Sequence, residues 1–190
     1  QGHEGEWNDM KQEVLRIQSE LSTRYSKYLK YIAEAAGTES WYLETTRRGM
    51  VAIYLELPKL ELERRGEAFP KIILEHFRPT LAHIRRGQDC CDFVLPAVLY
   101  LMYRCRRSKC IPQELWDEMK EIILNYRYWM DEPGEREYTC NYFTENHQIL
   151  QHTCEYLAGQ LYPDQTFYNG KSGEWHRKHA ETFAVRWMKW

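Results

Sequence analysis

The chain has 190 residues, 43% of them hydrophobic, which is enough for one domain with a real core. Its formal net charge is -2 and its basic runs (47–48, 85–86, 104–109) are short, so a strong electrostatic case for nucleic acid is excluded. The longest apolar run, 93–103, is too short to span a bilayer, so no membrane partner is expected.

The elements follow in chain order. Residues 1–6 are polar and read as a frayed end, after which Asn8 or Asp9 can cap a long first helix. Met10, Val14, Ile17, Leu21, Tyr28, Tyr31 and Ala35 fall on a 4-3 spacing that gives this helix its apolar face, and Gly37 ends it. Residues 41–57 read as a second helix, weakened by Gly49 and stopped by Pro58, with a short helical turn over 59–65. Pro70 suits the first turn of a helix carrying Ile72, Ile73, Phe77, Leu81 and Ile84, with a kink at Pro79 and an end at Gly87. Asp89 or Asp92 starts the most apolar helix, 93–105, which must be buried on most sides. Pro112 opens the next, with Leu115, Met119, Ile122, Ile123 and Tyr126 on one face. A loop over 130–140 precedes a central helix, 148–161, whose apolar positions are Ile149, Leu150, Thr153, Cys154, Leu157 and Leu161. Asn169-Gly170 marks a second loop, and Ser172 can cap a last helix through Ala180, Phe183, Ala184, Trp187 and Met188. With no period-2 run, the fold class is all-α: about seven helices in antiparallel hairpins, residues 1–37 being the long first helix and 38–190 the rest of a single domain. The chain does not begin with Met and stops inside an amphipathic pattern, so it is expected to be a piece of a longer polypeptide. The remainder of that polypeptide, or self-association, would then cover its open apolar surface.

Six cysteines occur (Cys90, Cys91, Cys105, Cys110, Cys140, Cys154) with no Cys-x-x-Cys pair, so the first reading is buried thiols, and a Cys140–Cys154 bond is the alternative. Aromatic residues are abundant, 7 Trp and 14 Tyr, which suits either rings stacked on sugars or a core of large side chains.

The central chemistry lies where the loop meets the 148–161 helix. Glu145, Asn146 and His147 sit at its entrance, where unpaired N–H groups and the positive dipole end favour an anion, and an imidazole can move a proton. The plainer reading makes Thr144 an N-cap, Glu145 a dipole partner and His147 a satisfied half-buried residue. Tyr128-Trp129-Met130-Asp131-Glu132-Pro133-Gly134, then Thr144-Glu145-Asn146-His147-Gln148-Ile149-Leu150 and Tyr156-Leu157-Ala158-Gly159-Gln160-Leu161-Tyr162-Pro163-Asp164, resemble a family of large proteins similar to six-hairpin (α/α)-toroid carbohydrate enzymes. The resemblance covers about residues 126–173 and implies that this chain supplies roughly half a toroid. It implies further that Asn146 neutralises a uronate carboxylate and His147 takes the proton in a β-elimination, as in polysaccharide lyases. Tyr142 or Tyr138 would then serve the leaving oxygen, while Arg136, Asp131, Glu132 and Trp129 would bind the acidic polysaccharide. Glu145 departs from the lyase pattern, since a carboxylate there repels an acidic sugar.

Other constellations stay open. A glycoside hydrolase needs two carboxylates about a bond, and Glu132 with Glu145 is the best pair among Asp131, Glu132, Glu145 and Asp164. His176 and His179 at i, i+3 can share an ion with Glu174 or His152, although two histidines on a basic helix more often lie on the surface, and neither metal nor cofactor is expected. A non-catalytic helical scaffold or interaction module explains the long first helix and the aromatic content equally well. Burial of His147 would favour the scaffold; an open cleft around it would favour the enzyme.

Overall fold

The computed structural model describes residues 2–35, 51–87, 90–134 and 144–189. Among the described residues the protein is all-helical, with seven α-helices: α1 (Gly2–Ala35), α2 (Leu57–Arg64), α3 (Phe77–Arg85), α4 (Leu95–Arg104), α5 (Gln113–Asn125), α6 (Glu145–Leu161) and α7 (Gly173–Met188). No strand forms there; one isolated bridge joins Thr166 to Ser172.

α4 is the centre of the core, as its composition requires. Leu95, Val98, Leu99 and Leu101 are at most 1% exposed, and the helix packs on α2 and α6 while α3 packs on α5. Pro96 sits in its first turn, and Pro112 precedes α5 as expected. Pro58 is a correction: it opens α2 rather than stopping a helix, because the first turn needs no N–H there. Residues 41–50 lie outside the described residues, and Ala52–Leu55 is a short 3₁₀ turn. Pro70 does not start a helix; 67–73 is irregular, and α3 begins only at Phe77 after a 3₁₀ turn at Leu74–His76. Pro79 is the third residue of α3, where no intrahelical bond is lost, so the expected kink has no cause there.

α1 also departs from expectation. It begins well before Asn8, and its 4-3 stripe is not its buried face: Met10, Val14, Ile17, Leu21, Tyr28 and Tyr31 are all exposed, and Leu29 and Ala33 make the core contact with Leu62. Its junction to α2 is polar at the rim. Ser26 donates to Glu67, which also pairs with Lys30 at 2.8 Å.

A buried ionic knot fixes α2 to the irregular segment that follows it. Glu56 accepts from Lys59 Nζ at 3.0 Å, from Ile73 N at 3.0 Å and lies 2.6 Å from His76 Nδ1, with all three side chains buried. Each charge in this knot is matched by a partner, which burial demands.

α6 and α7 form an antiparallel hairpin: Gly159 faces Arg177, Glu155 faces His176 and His179, and His152 stacks on Phe183. Ser172 caps α7 by accepting from Trp175 N at 3.2 Å, as its position foretold. Two glycines let the backbones touch. A Cβ on Gly159 would lie 2.6 Å from Arg177 N and closer still to Gly173 O, and one on Gly173 would strike Tyr162 O. Gly159→Ala should therefore destabilise the protein by about 1–3 kcal/mol in urea unfolding. A change below about 0.5 kcal/mol, the range of neutral surface substitutions, would show that this backbone contact is not made.

Candidate functional site

α6 places its inward face differently from its hydrophobic pattern. Ile149 and Thr153 are exposed, and the buried positions are His147, Gln151, His152, Cys154, Glu155, Ala158 and Gly159. The expectation of an apolar face through Ile149 and Thr153 is thus corrected: the helix turns polar side chains into the interior because Asp92, Tyr126 and α7 supply partners for them. Cys154 is a free buried thiol; burial and the Asp92 charge push it well up. Cys105 and Cys110 are free thiols too, and Cys140 lies outside the described residues.

At the start of α6, Thr144 occupies the N-cap position without capping; its hydroxyl instead meets the side chain of Asn146. Glu145 and Asn146 are exposed, whereas His147 is only 6% exposed. Its Nδ1 lies 2.6 Å from Asp92 Oδ2, and its ring packs edge-on against Phe93 at 5.2 Å. Asp92 is held in position by a 3₁₀ turn, Cys91–Phe93, entered through Cys90 at φ 65, a left-handed conformation rare outside glycine. Tyr142, Tyr138 and Arg136 lie outside the described residues.

Two turns further along α6 lies a second and larger polar centre. Glu155, fully buried, is surrounded by three imidazoles: its Oε1 lies 2.9 Å from His176 Nδ1 and 2.8 Å from His179 Nδ1, and its Oε2 lies 3.2 Å from His152 Nδ1. Glu132 enters from the loop after α5. Tyr128 N and Trp129 N donate to its Oε1 at 2.6 and 2.7 Å, while its Oε2, 3.7 Å from His176 Nδ1, has no hydrogen-bond donor. Asp131, at the rim, lies 3.5 Å from His179 Nε2. On the far side of His176, its Nε2 lies 3.1 Å from Asn169 Oδ1, and Lys171 N donates to that same oxygen, fixing the amide as acceptor. Phe167, Trp175, Phe183 and Trp129 stack around the three rings and keep water from most of the centre.

The proton inventory follows from these contacts. Both ring nitrogens of His176 face oxygen atoms, and Glu155, among the three imidazoles, is ionised. Burial works against that ionisation, but the hydrogen bonds from His152, His176 and His179 outweigh it and hold the Glu155 carboxyl down to about 2. Burial and the charge of Glu155 push the neighbouring Glu132 up to about 8, so this carboxyl holds its proton at neutral pH. Asp131 and Glu155 together hold the His179 imidazolium to about 10. His152 keeps Nδ1 for Glu155 and leaves Nε2 buried with no partner. Two adjacent carboxyls with opposite protonation, joined through imidazoles, can store and pass a proton.

The residues singled out from the sequence are therefore divided. Asn146, Glu145 and His147 share one end of α6, with His147 turned inward. Glu132 and Asp131 belong to the second centre; Trp129 is buried beside His152, ring centroids 5.5 Å apart, and shows little face to a ligand. Glu174 is not part of the centre; it pairs with Arg177 at the surface. His176 corrects the surface expectation, being fully buried. Glu155, Asp92 and Asn169 were not singled out. The signal for Glu155 was its i, i+3 spacing from His152, matched by the same spacing of His176 and His179 on the facing helix. Asp92 carried no comparable signal, because its partner is 55 residues away. Outside the hairpin, Ile149, His152, Thr153, Tyr156, Glu181, Ala184 and Val185 line a mostly apolar groove of about 420 Å³.

Comparison with protein-family models, curated proteins and solved structures finds no match to this chain.

The charges fix a pH dependence. Glu132, ordinarily near 4.5 and near 8 when folded, releases its proton on unfolding between those values, so it lowers stability as pH rises across them. His179 contributes stability that is complete below 6.5 and lost as pH rises through about 10. Glu155 has the opposite sign: its contribution is complete above 4.5 and lost as pH falls towards about 2. The melting temperature should thus fall from about pH 5 towards alkaline pH. Glu132→Gln, whose amide oxygen can still accept from Tyr128 N and Trp129 N, should flatten the portion between pH 5 and 8. An identical slope in wild type and variant would show that Glu132 is ionised throughout.

Proposed function

We propose that the chain is the helical part of a carbohydrate-active enzyme, a run of antiparallel hairpins from an (α/α) toroid, that cleaves an acidic polysaccharide by β-elimination. The observation that supports this reading is the pair His147–Asp92 at the entrance of α6, beside an exposed Asn146. A buried carboxylate on Nδ1 fixes the imidazole orientation. That is the preparation a base needs to take the proton next to a uronate carboxylate. Asn146 supplies an amide N–H for that carboxylate where the helix end already favours an anion. Tyr142 would serve the leaving oxygen and Arg136 would hold the uronate. The exposed 4-3 stripe of α1 is the surface that the rest of a toroid, or a second copy, would cover.

A second reading, a non-catalytic helical scaffold, is favoured by one observation: His147 is 6% exposed and packed against Phe93, as a structural residue would be. The glycoside hydrolase reading has a protonated carboxyl in Glu132, but the carboxylate coupled to it is the buried Glu155, while Glu145 is exposed.

Screening the protein against uronate polymers, with unsaturated product read by absorbance, separates these readings. Turnover is expected, and His147→Ala should lower it by roughly 10²–10⁴-fold with little loss of melting temperature. A large drop in melting temperature, with activity lost only in proportion to folded protein, would make the residue structural. Absence of turnover on every uronate polymer would overturn the lyase proposal.

A further inference from the structure

The buried centre between α6 and α7 has the donor set of a metal site. Its imidazoles do not point outward, as surface histidines on an amphipathic helix would. His176 and His179 both direct Nδ1 at Glu155 Oε1, at 2.9 and 2.8 Å, and Glu132 Oε2 stands 3.7 Å from His176 Nδ1. Donors about 2.0–2.1 Å from a tetrahedral zinc are themselves about 3.3 Å apart, and the donor atoms of Glu132, Glu155 and His176 all lie within 4.8 Å of one another.

Three further observations point to a cation. The first is Glu132 Oε2, a carboxylate oxygen on a side chain only 2% exposed, without a hydrogen-bond donor and directed at the cluster. A buried carboxyl oxygen left without a partner is costly in the interior, and a cation that displaces the carboxyl proton would meet it. The second is the outer ring of partners. His176 has Nε2 on Asn169 Oδ1 at 3.1 Å, an oxygen that Lys171 N also holds. Metal-bound histidines characteristically donate the other ring N–H to such an oxygen, which fixes the tautomer that leaves Nδ1 for the metal. The third is cost: three imidazoles and two carboxyls inside one helical hairpin are a poor way to gain stability, since apolar residues of the same volume do better.

We infer that Glu132, Glu155 and His176, all buried, form a binding site for one divalent first-row transition cation of the zinc class, with Asn169 orienting His176. Imidazole and carboxylate donors suit such ions, whereas calcium and magnesium prefer all-oxygen shells. Access is from the Asp131–His179 edge, where the centre is least buried: His179 is 17% and Asp131 39% exposed at the side chain. The inference is independent of the lyase reading and needs no sugar.

The test uses zinc and cobalt salts alone. Protein stripped with a chelator, reloaded with Zn²⁺ and then desalted should retain about one equivalent, bind it with a Kd below about 1 μM, and melt at a higher temperature when loaded. Co²⁺ should give the intense visible band of a tetrahedral nitrogen–oxygen site without a thiolate charge-transfer band. His176→Gln and Glu132→Gln should each weaken Zn²⁺ binding by roughly tenfold or more. Glu132→Gln keeps the acceptor for Tyr128 N and Trp129 N, so it decides the matter should His176→Gln fail to fold. No zinc bound by the folded wild type, unchanged affinity in folded Glu132→Gln, or a thiolate band placing the ion on cysteine would each overturn the site.

Discussion

Everything in the second half of the chain depends on one buried carboxylate. Glu155 is fully excluded from solvent, and an ionised carboxylate survives there only because three imidazoles from two helices surround it. Those imidazoles reach it only because α6 and α7 approach closely at Gly159 and Gly173. The loop after α5 is tied in as well, since Glu132 is clamped by the backbone of Tyr128 and Trp129 and then turned towards His176. Packing and electrostatics therefore reinforce each other: the glycines bring the helices together, and the charges reward that approach and penalise any other register.

The two polar sites on α6 differ in kind. At its entrance, His147 and Asp92 form a simple oriented pair, with Asn146 and Glu145 exposed beside them. Further along, five titratable side chains share a closed interior ringed by aromatic faces. The interior is suited to holding something already bound, a proton or an ion, and to locking the hairpin beneath the entrance. One rigid helix carries both, so the inner centre can set the position of the outer pair.

Much of the fold was legible because prolines, glycines and caps act locally. Pro96, Pro112 and Ser172 mark helix starts by removing or satisfying N–H groups in the first turn, whatever the rest of the chain does. Pro58 and Pro70 show the limit of that logic. The same residue can stop one helix or open the next, and only packing decides which. Hydrophobic periodicity misled on α1 and α6 for a shared reason: it assumes that apolar side chains define the inward face. On α1 the apolar stripe has no cover among the described residues; on α6 the inward face is polar, because partners distant in sequence satisfy it. The i, i+3 spacings on α6 and α7 pointed to the centre, but the role of Glu155 emerges only when the two helices are seen face to face.

The most direct test of this account is the protonation of the histidines around Glu155. Ring-nitrogen NMR of protein labelled with ¹⁵N-histidine, followed against pH, reports each imidazole separately. The account requires His179 to remain an imidazolium through neutral pH and to lose its proton only near pH 10 in the metal-free protein. A His179 ring that titrates at its ordinary value of 6.5 would contradict it, because an ionised Glu155 at hydrogen-bond distance could not leave that ring unperturbed.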